Sequence, residues 1–128
     1  MRRGFTMIEL IFVIVIIAIL AAIAIPRLAA TRDDAEISKA VTNLSTCITD
    51  AGARATAEIG VTAAEFAAIN SCAQVNADTV FAVTWDDGNK TLNVANGAST
   101  AGWAPDAQAL ATTNKLMGDH VFGGTTVE

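Results

Sequence analysis

The chain has 128 residues, enough for one small domain and too few for a large core. Its formal net charge of −5 gives nucleic-acid binding no global electrostatic support. The hydrophobic fraction of 52% is concentrated, because residues 10–25, "LIFVIVIIAILAAIAI", form an unbroken apolar run.

In chain order, the first element is therefore an apolar helix. At about 1.5 Å per residue, residues 7–25 span about 28 Å, close to the ~30 Å hydrocarbon core of a bilayer. Three readings compete for it. A cleaved signal peptide has a basic start in Arg2 and Arg3 and an A-x-A-like site at Ala22-Ile23-Ala24. A twin-arginine signal matches part of "RRGF", although its apolar region is usually weaker. A retained span is the third. Glu9, near the head of the run, counts against both signal readings, since a signal gains nothing from a carboxylate there. At mid-bilayer an acid costs about 2.5 to 3.5 kcal/mol on the milder insertion scale, and less near the headgroups.

The sequence beyond Pro26 favours a span that continues as structure. Ile37, Val41, Leu44, Ile48, Ala51 and Ala55 recur at alternating steps of four and three, a helical stripe that Ala40 and Cys47 widen. This predicts one helix from near Thr6 to about Glu58, stopped by Gly60 and roughly 80 Å long. Pro26 cannot donate to the Ala22 carbonyl and is expected to loosen or kink that helix.

"RRGFTMIELIFVIVIIAILAAIAIPRLAATRDDA" resembles the N-terminus of the class III prepilins, the type IV pilins and the pseudopilins of type II secretion and DNA-uptake systems. The resemblance rests on a basic leader ending in Gly4, then Phe5-Thr6-Met7-Ile8-Glu9, an apolar helix, and Pro26 just beyond it. It covers about the first 55 residues. It implies cleavage between Gly4 and Phe5 by a membrane peptidase that also N-methylates Phe5. It implies assembly with identical or related subunits on an inner-membrane platform. Cleavage would leave six basic against thirteen acidic residues, a balance of −7. It would also create an ammonium at Phe5, with which Glu9 of a neighbouring subunit would pair. Such a pair is better seen as a register device than as a large net stabiliser. The competing reading of Glu9 is a headgroup-level acid, and that of the helix a plain single-span anchor. Arg2 and Arg3 would hold the N-terminus on the cytoplasmic side, leaving the rest outside the inner membrane.

The expected fold is therefore α+β: a long N-terminal helix packed against a small antiparallel sheet. Four segments are expected: a leader at 1–4, a transmembrane and filament-core helix at 5–27, its amphipathic continuation at 28–59, and a small head at 60–128. In the head, Thr62-x-x-Glu65 is a capping box that predicts a short helix over 62–70. "DTVFAVTW" (78–85) and "KTLNVA" (90–95) read as strands joined by a "DDGN" turn, with Gly88 supplying positive φ. "NGASTAGWAPDAQ" reads as surface loop, and "HVFGGTTV" (120–127) as a last strand.

Outside the reducing cytoplasm, Cys47 and Cys72 make one candidate bridge, against the alternative of two buried thiols. In many type IV pilins the bridge brackets a C-terminal loop, whereas here it would pin the short helix to the long one. Asp86, Asp87 and Asn89 could be calcium ligands, but a tight turn explains them without metal. His120 has no Cys or His partner at ligand spacing, and Trp85 and Trp103 read as packing residues. No catalytic set or cofactor motif can be placed, so the chain reads as a non-enzyme.

Two functions remain: a structural filament subunit of a pilus or secretion pseudopilus, or a minor tip subunit acting as a binding module for adhesion or DNA uptake. Residues 60–128 hold only Lys90 and Lys115 against seven acids, so direct nucleic-acid binding is disfavoured.

Overall fold

The structure is a computed structural model that describes residues 4–57 and 61–122. Helix α1 runs Met7–Ala57 and is followed by α2 (Ala63–Ala67), α3 (Asn70–Asp78), β1 (Phe81–Asp86), β2 (Thr91–Asn96), α4 (Ala104–Thr113) and β3 (Gly118–Val121). The three strands form one antiparallel sheet in the order β1-β2-β3. The fold is α+β and pilin-like. The expected helix stop at Glu58 and Gly60, the leader arginines and residues 123–127 of the expected last strand lie outside the described residues. The chain divides into two compact units, Met1–Ala35 and Glu36–Glu128.

The first unit is the apolar part of α1. Every residue from 10 to 25 is exposed. The helix runs on through Pro26, which removes one N–H from its hydrogen-bond ladder.

The second unit has a core of its own. The stripe read from the sequence buries Ala40, Val41, Leu44, Cys47 and Ala51, with Ile37 and Ile48 partly covered. Against them pack Phe66, Ile69, Cys72 and Val75 from α2, α3 and their link, and Phe81, Val83, Leu92 and Val94 from the inner face of the sheet. The strands alternate accordingly: Val83 faces in opposite Val94, while Thr84 faces out opposite Asn93. Cys47 and Cys72 are joined by a disulfide (S–S 1.98 Å) that ties α1 to α3. Beside it the Ser71 hydroxyl donates to the Asp50 carboxylate at 2.6 Å.

Several elements differ from the sequence expectation. The helix expected over 62–70 is only α2, Ala63–Ala67, although its capping box is fully formed. A second helix, α3, follows, so that Cys72 lies within a helix instead of just after one. No capping side chain starts α3, and its signal is only the pair Cys72 and Val75 on one face. The segment read as loop contains α4. Pro105 and Asp106 in its first turn and inward Ala104, Ala107 and Ala111 are a helix start followed by a stripe, but one built of methyl groups.

The hairpin turn also differs. Positive φ falls on Lys90 (52°), not on Gly88. Asp86 organises the turn instead, its Oδ1 accepting from the N–H groups of Gly88 (2.9 Å) and Asn89 (3.4 Å). The open edge of β1 is closed by a side chain. The Asn76 amide donates to the Val83 carbonyl (3.2 Å) and accepts from the Val83 N–H (2.9 Å), standing in for a neighbouring strand. At the end of α3, Thr79 takes a left-handed conformation (φ 56°), strained for a β-branched residue. Gly97 passes so close to the Thr79 carbonyl that a Cβ there would collide with backbone.

Candidate functional site

The candidate site is the start of α1, which holds Glu9 and where the resemblance to prepilins would put a cleavage point and a new amine. Gly4, Phe5 and Thr6 precede the helix, and nothing crowds the Cα of Gly4. Phe5, Met7 and Ile8 are 83%, 75% and 80% exposed, so the segment is open to a modifying enzyme.

Thr6 is the helix N-cap. Its hydroxyl accepts the Glu9 N–H at 3.2 Å, and its carbonyl accepts the Leu10 N–H at 3.1 Å. That side chain satisfies one of the orphan donors of the first turn. The sequence reading missed this role, though the signal was visible as a Thr three residues before a Glu at the head of an apolar run. The Glu9 carboxylate has no hydrogen bond or ion pair among the described residues.

The same four-residue pattern recurs in the head with a different outcome. The Thr62 hydroxyl accepts the Glu65 N–H at 3.4 Å, and Glu65 Oε2 accepts the Thr62 N–H at 2.8 Å. The Thr62 N–H, and then its hydroxyl donating to Oε2 at 2.9 Å, hold the Glu65 carboxyl below its ordinary range. In α2 the box is closed, and in α1 only its threonine half is made.

After Glu9, the helix is long and apolar enough to cross a membrane, with none of that stretch buried in the protein. Arg27, Arg32, Asp33 and Asp34 follow it, all exposed.

The remaining candidates are built into the head. Asp86 spends both carboxylate oxygens on its own turn, Oδ2 accepting from the Asn89 amide at 2.9 Å, and those donors lower its pKa, the Gly88 N–H first. Asp87 is exposed beside it. Among the described residues, no group of three His, Cys, Asp or Glu side chains is placed to hold a metal ion. A ring nitrogen of His120 lies 2.9 Å from the Leu116 carbonyl. Trp85 stacks with Phe66 and with Phe122 at centroid distances of 5.8 and 6.2 Å, and its indole N–H donates to the Val61 carbonyl at 3.1 Å. Trp85 is therefore a partly buried packing residue of the head. Trp103 is half-buried against the core.

Residues 1–25 match the family model of the prokaryotic N-terminal methylation motif. With the apolar α1 and the small antiparallel sheet, that match supports a class III prepilin of the type IV pilin-like kind. The motif implies processing by a prepilin peptidase and assembly with other pilins, and the apolar helix fits a membrane anchor. No curated protein and no solved structure matches the chain.

Proposed function

We propose that this protein is a structural subunit of a type IV pilus-like filament or of a type II secretion pseudopilus. It is held in the inner membrane with its head in the periplasm, and it is drawn into the filament by its N-terminal helix. Residues 1–4 are the leader, 5–27 the membrane and filament-core helix, 28–59 its amphipathic continuation and 60–128 the head. Prepilin peptidase cuts between Gly4 and Phe5 and methylates the Phe5 amine. In the filament, Glu9 pairs with the Phe5 ammonium of a neighbour, and Pro26 gives the helix a point of bending.

The observation that carries this reading is the exposed arm: residues 10–25, all apolar and all uncovered, headed by a carboxylate without a partner among the described residues. A lone subunit tolerates Glu9 near headgroups and water. In a dry filament core an unpaired carboxylate costs several kcal/mol, so a cation must meet it there. The scarcity of basic residues in the head favours a structural role over a grip on DNA.

The test has two parts. Intact-mass spectrometry of the mature chain should show loss of residues 1–4 and gain of one methyl; a terminus at Ile25 would establish an ordinary signal peptide. Glu9→Val should leave membrane level and head stability near wild type and sharply reduce filament yield by electron microscopy, with Glu9→Asp intermediate. Wild-type filament yield from Glu9→Val would remove the pairing mechanism.

A further inference from the structure

We infer that Asn96 is a site of spontaneous deamidation that the folded head shields, so that modification there marks a chain whose head has opened.

Of the chain's asparagines, Asn96 alone is followed by glycine. Asparagine is a thermolabile residue, and a following glycine lacks the Cβ that would hinder attack by its own backbone nitrogen. The step is intramolecular. The Gly97 nitrogen attacks Asn96 Cγ and a C–N bond forms. The Cγ–Nδ2 bond breaks, and the leaving nitrogen takes up the Gly97 amide proton and departs as ammonia. Water then opens the cyclic imide at either carbonyl, which leaves aspartate or isoaspartate at position 96. Either product adds a negative charge, and isoaspartate also lengthens the backbone by one methylene.

The fold requires this labile pair. Gly97 lies against the Thr79 carbonyl, and a Cβ on it would collide with that backbone. The same contacts disarm the pair. Asn96 ends β2 and is paired with Phe81 of β1, in extended backbone that carries the chain away from its own side chain. The Gly97 N–H donates to the Val80 carbonyl at 2.9 Å, and that carbonyl also accepts the Gln108 side-chain amide at 2.9 Å. Two residues on, the Ser99 N–H donates to the Thr79 carbonyl at 3.0 Å. Attack needs the Gly97 nitrogen released from Val80 and the Asn96 backbone rotated out of the strand. The end of β2 must therefore detach from β1 first. Asn96 itself is exposed, so water reaches the amide; it is the attacking nitrogen that is held.

Opening is then recorded in one direction. An added backbone methylene displaces Gly97 at a place with no room for one more carbon. A chain that opens and acquires isoaspartate does not close again, a case of unfolding made irreversible by chemical change.

The test uses the full chain in detergent with its disulfide intact, held at mildly alkaline pH in buffer or in guanidinium chloride. Peptide mass spectrometry that separates asparagine, aspartate and isoaspartate follows position 96. In denaturant Asn96 should convert faster than every other asparagine, including Asn70, which precedes Ser71. In buffer it should convert at least about tenfold more slowly, because conversion waits on opening of the strand end. Chain aged in denaturant and then diluted into buffer should lose native near-ultraviolet circular dichroism in proportion to its isoaspartate, whereas Asn96→Gln aged alike should recover its signal. Equal rates in buffer and denaturant would overturn the shielding. Another asparagine converting first in denaturant would overturn the site. Full recovery of isoaspartate-bearing chain would overturn the block on closing.

Discussion

Two stretches of α1 obey opposite rules. From residue 10 to 25 every side chain is apolar and every one is exposed, Ile17 at 58% and Leu20 at 61%. From Ala40 to Ala51 the stripe of Val41, Leu44, Ile48 and Ala51 recurs every three or four positions and is covered, Leu44 completely and Ile48 in part. The second stretch has its partner within the chain, in the sheet and the short helices. Among the described residues the first is exposed throughout; in the reading proposed here lipid covers it first and other subunits afterwards. The two Thr-x-x-Glu sequences repeat this contrast in miniature. The head spends its glutamate on itself, and the arm keeps its own available.

Removing the disulfide is the strongest way to test whether the head is self-sufficient. Its closed loop spans 25 residues, which the chain-entropy estimate equates to about 3.5 kcal/mol. A Cys47→Ala, Cys72→Ala double variant should lower the unfolding free energy of the head by that order in detergent, read by denaturant titration with near-ultraviolet circular dichroism. Membrane fractionation should stay unchanged. A head as stable as wild type would show that its other contacts suffice.

The contrast within α1 can be tested with one kind of cut in each stretch. Leu44→Ala should destabilise the head by about 3 kcal/mol, through lost burial and a residual cavity. Ile17→Ala removes a comparable side chain from the arm and should leave head stability within about 0.5 kcal/mol. An equal loss from both, measured by urea titration, would mean that the arm is energetically part of the head.

The smallest expected effect concerns Glu65. Its carboxyl is held below the ordinary range by the Thr62 bonds, so the folded state favours the ionised form. That stabilisation is present at neutral pH and is lost as pH falls through the folded-state value. Wild type should therefore melt slightly above Glu65→Gln at pH 7, and the two should converge as pH falls through the carboxyl's lowered folded-state value. A constant gap across that range would assign the difference to something other than the carboxylate charge.

The arm was legible because its information is one-dimensional. A run of apolar residues, a Gly-Phe-Thr-x-x-Glu start and a proline can be read without knowing any partner. The stripe Ile37, Val41, Leu44, Ile48 and Ala51 was legible for a related reason, since helical period alone states which face is covered. The Thr62 box and the hairpin strands carried local signals too.

What needed tertiary structure was whatever is decided by a distant neighbour. Helices α3 and α4 have faces made of one cysteine, one valine and three alanines, too small to stand out until the sheet and α1 press on them. The left-handed residue of the hairpin turn is Lys90 instead of Gly88 because the Asp86 carboxylate gathers the N–H groups of Gly88 and Asn89, fixing the turn from its side. Asn76 closes the β1 edge only because the fold carries α3 alongside Val83. A side chain at Gly52 would meet the Phe122 ring, 70 residues later in the chain, and the ring would have to shift. Sequence alone thus determined the membrane-seeking arm, the long helix and its inward stripe, since these follow from local composition and period. The packing of the head was decided by contacts between residues far apart in the chain, whose sterics and hydrogen bonds exist only once the backbone has brought them together.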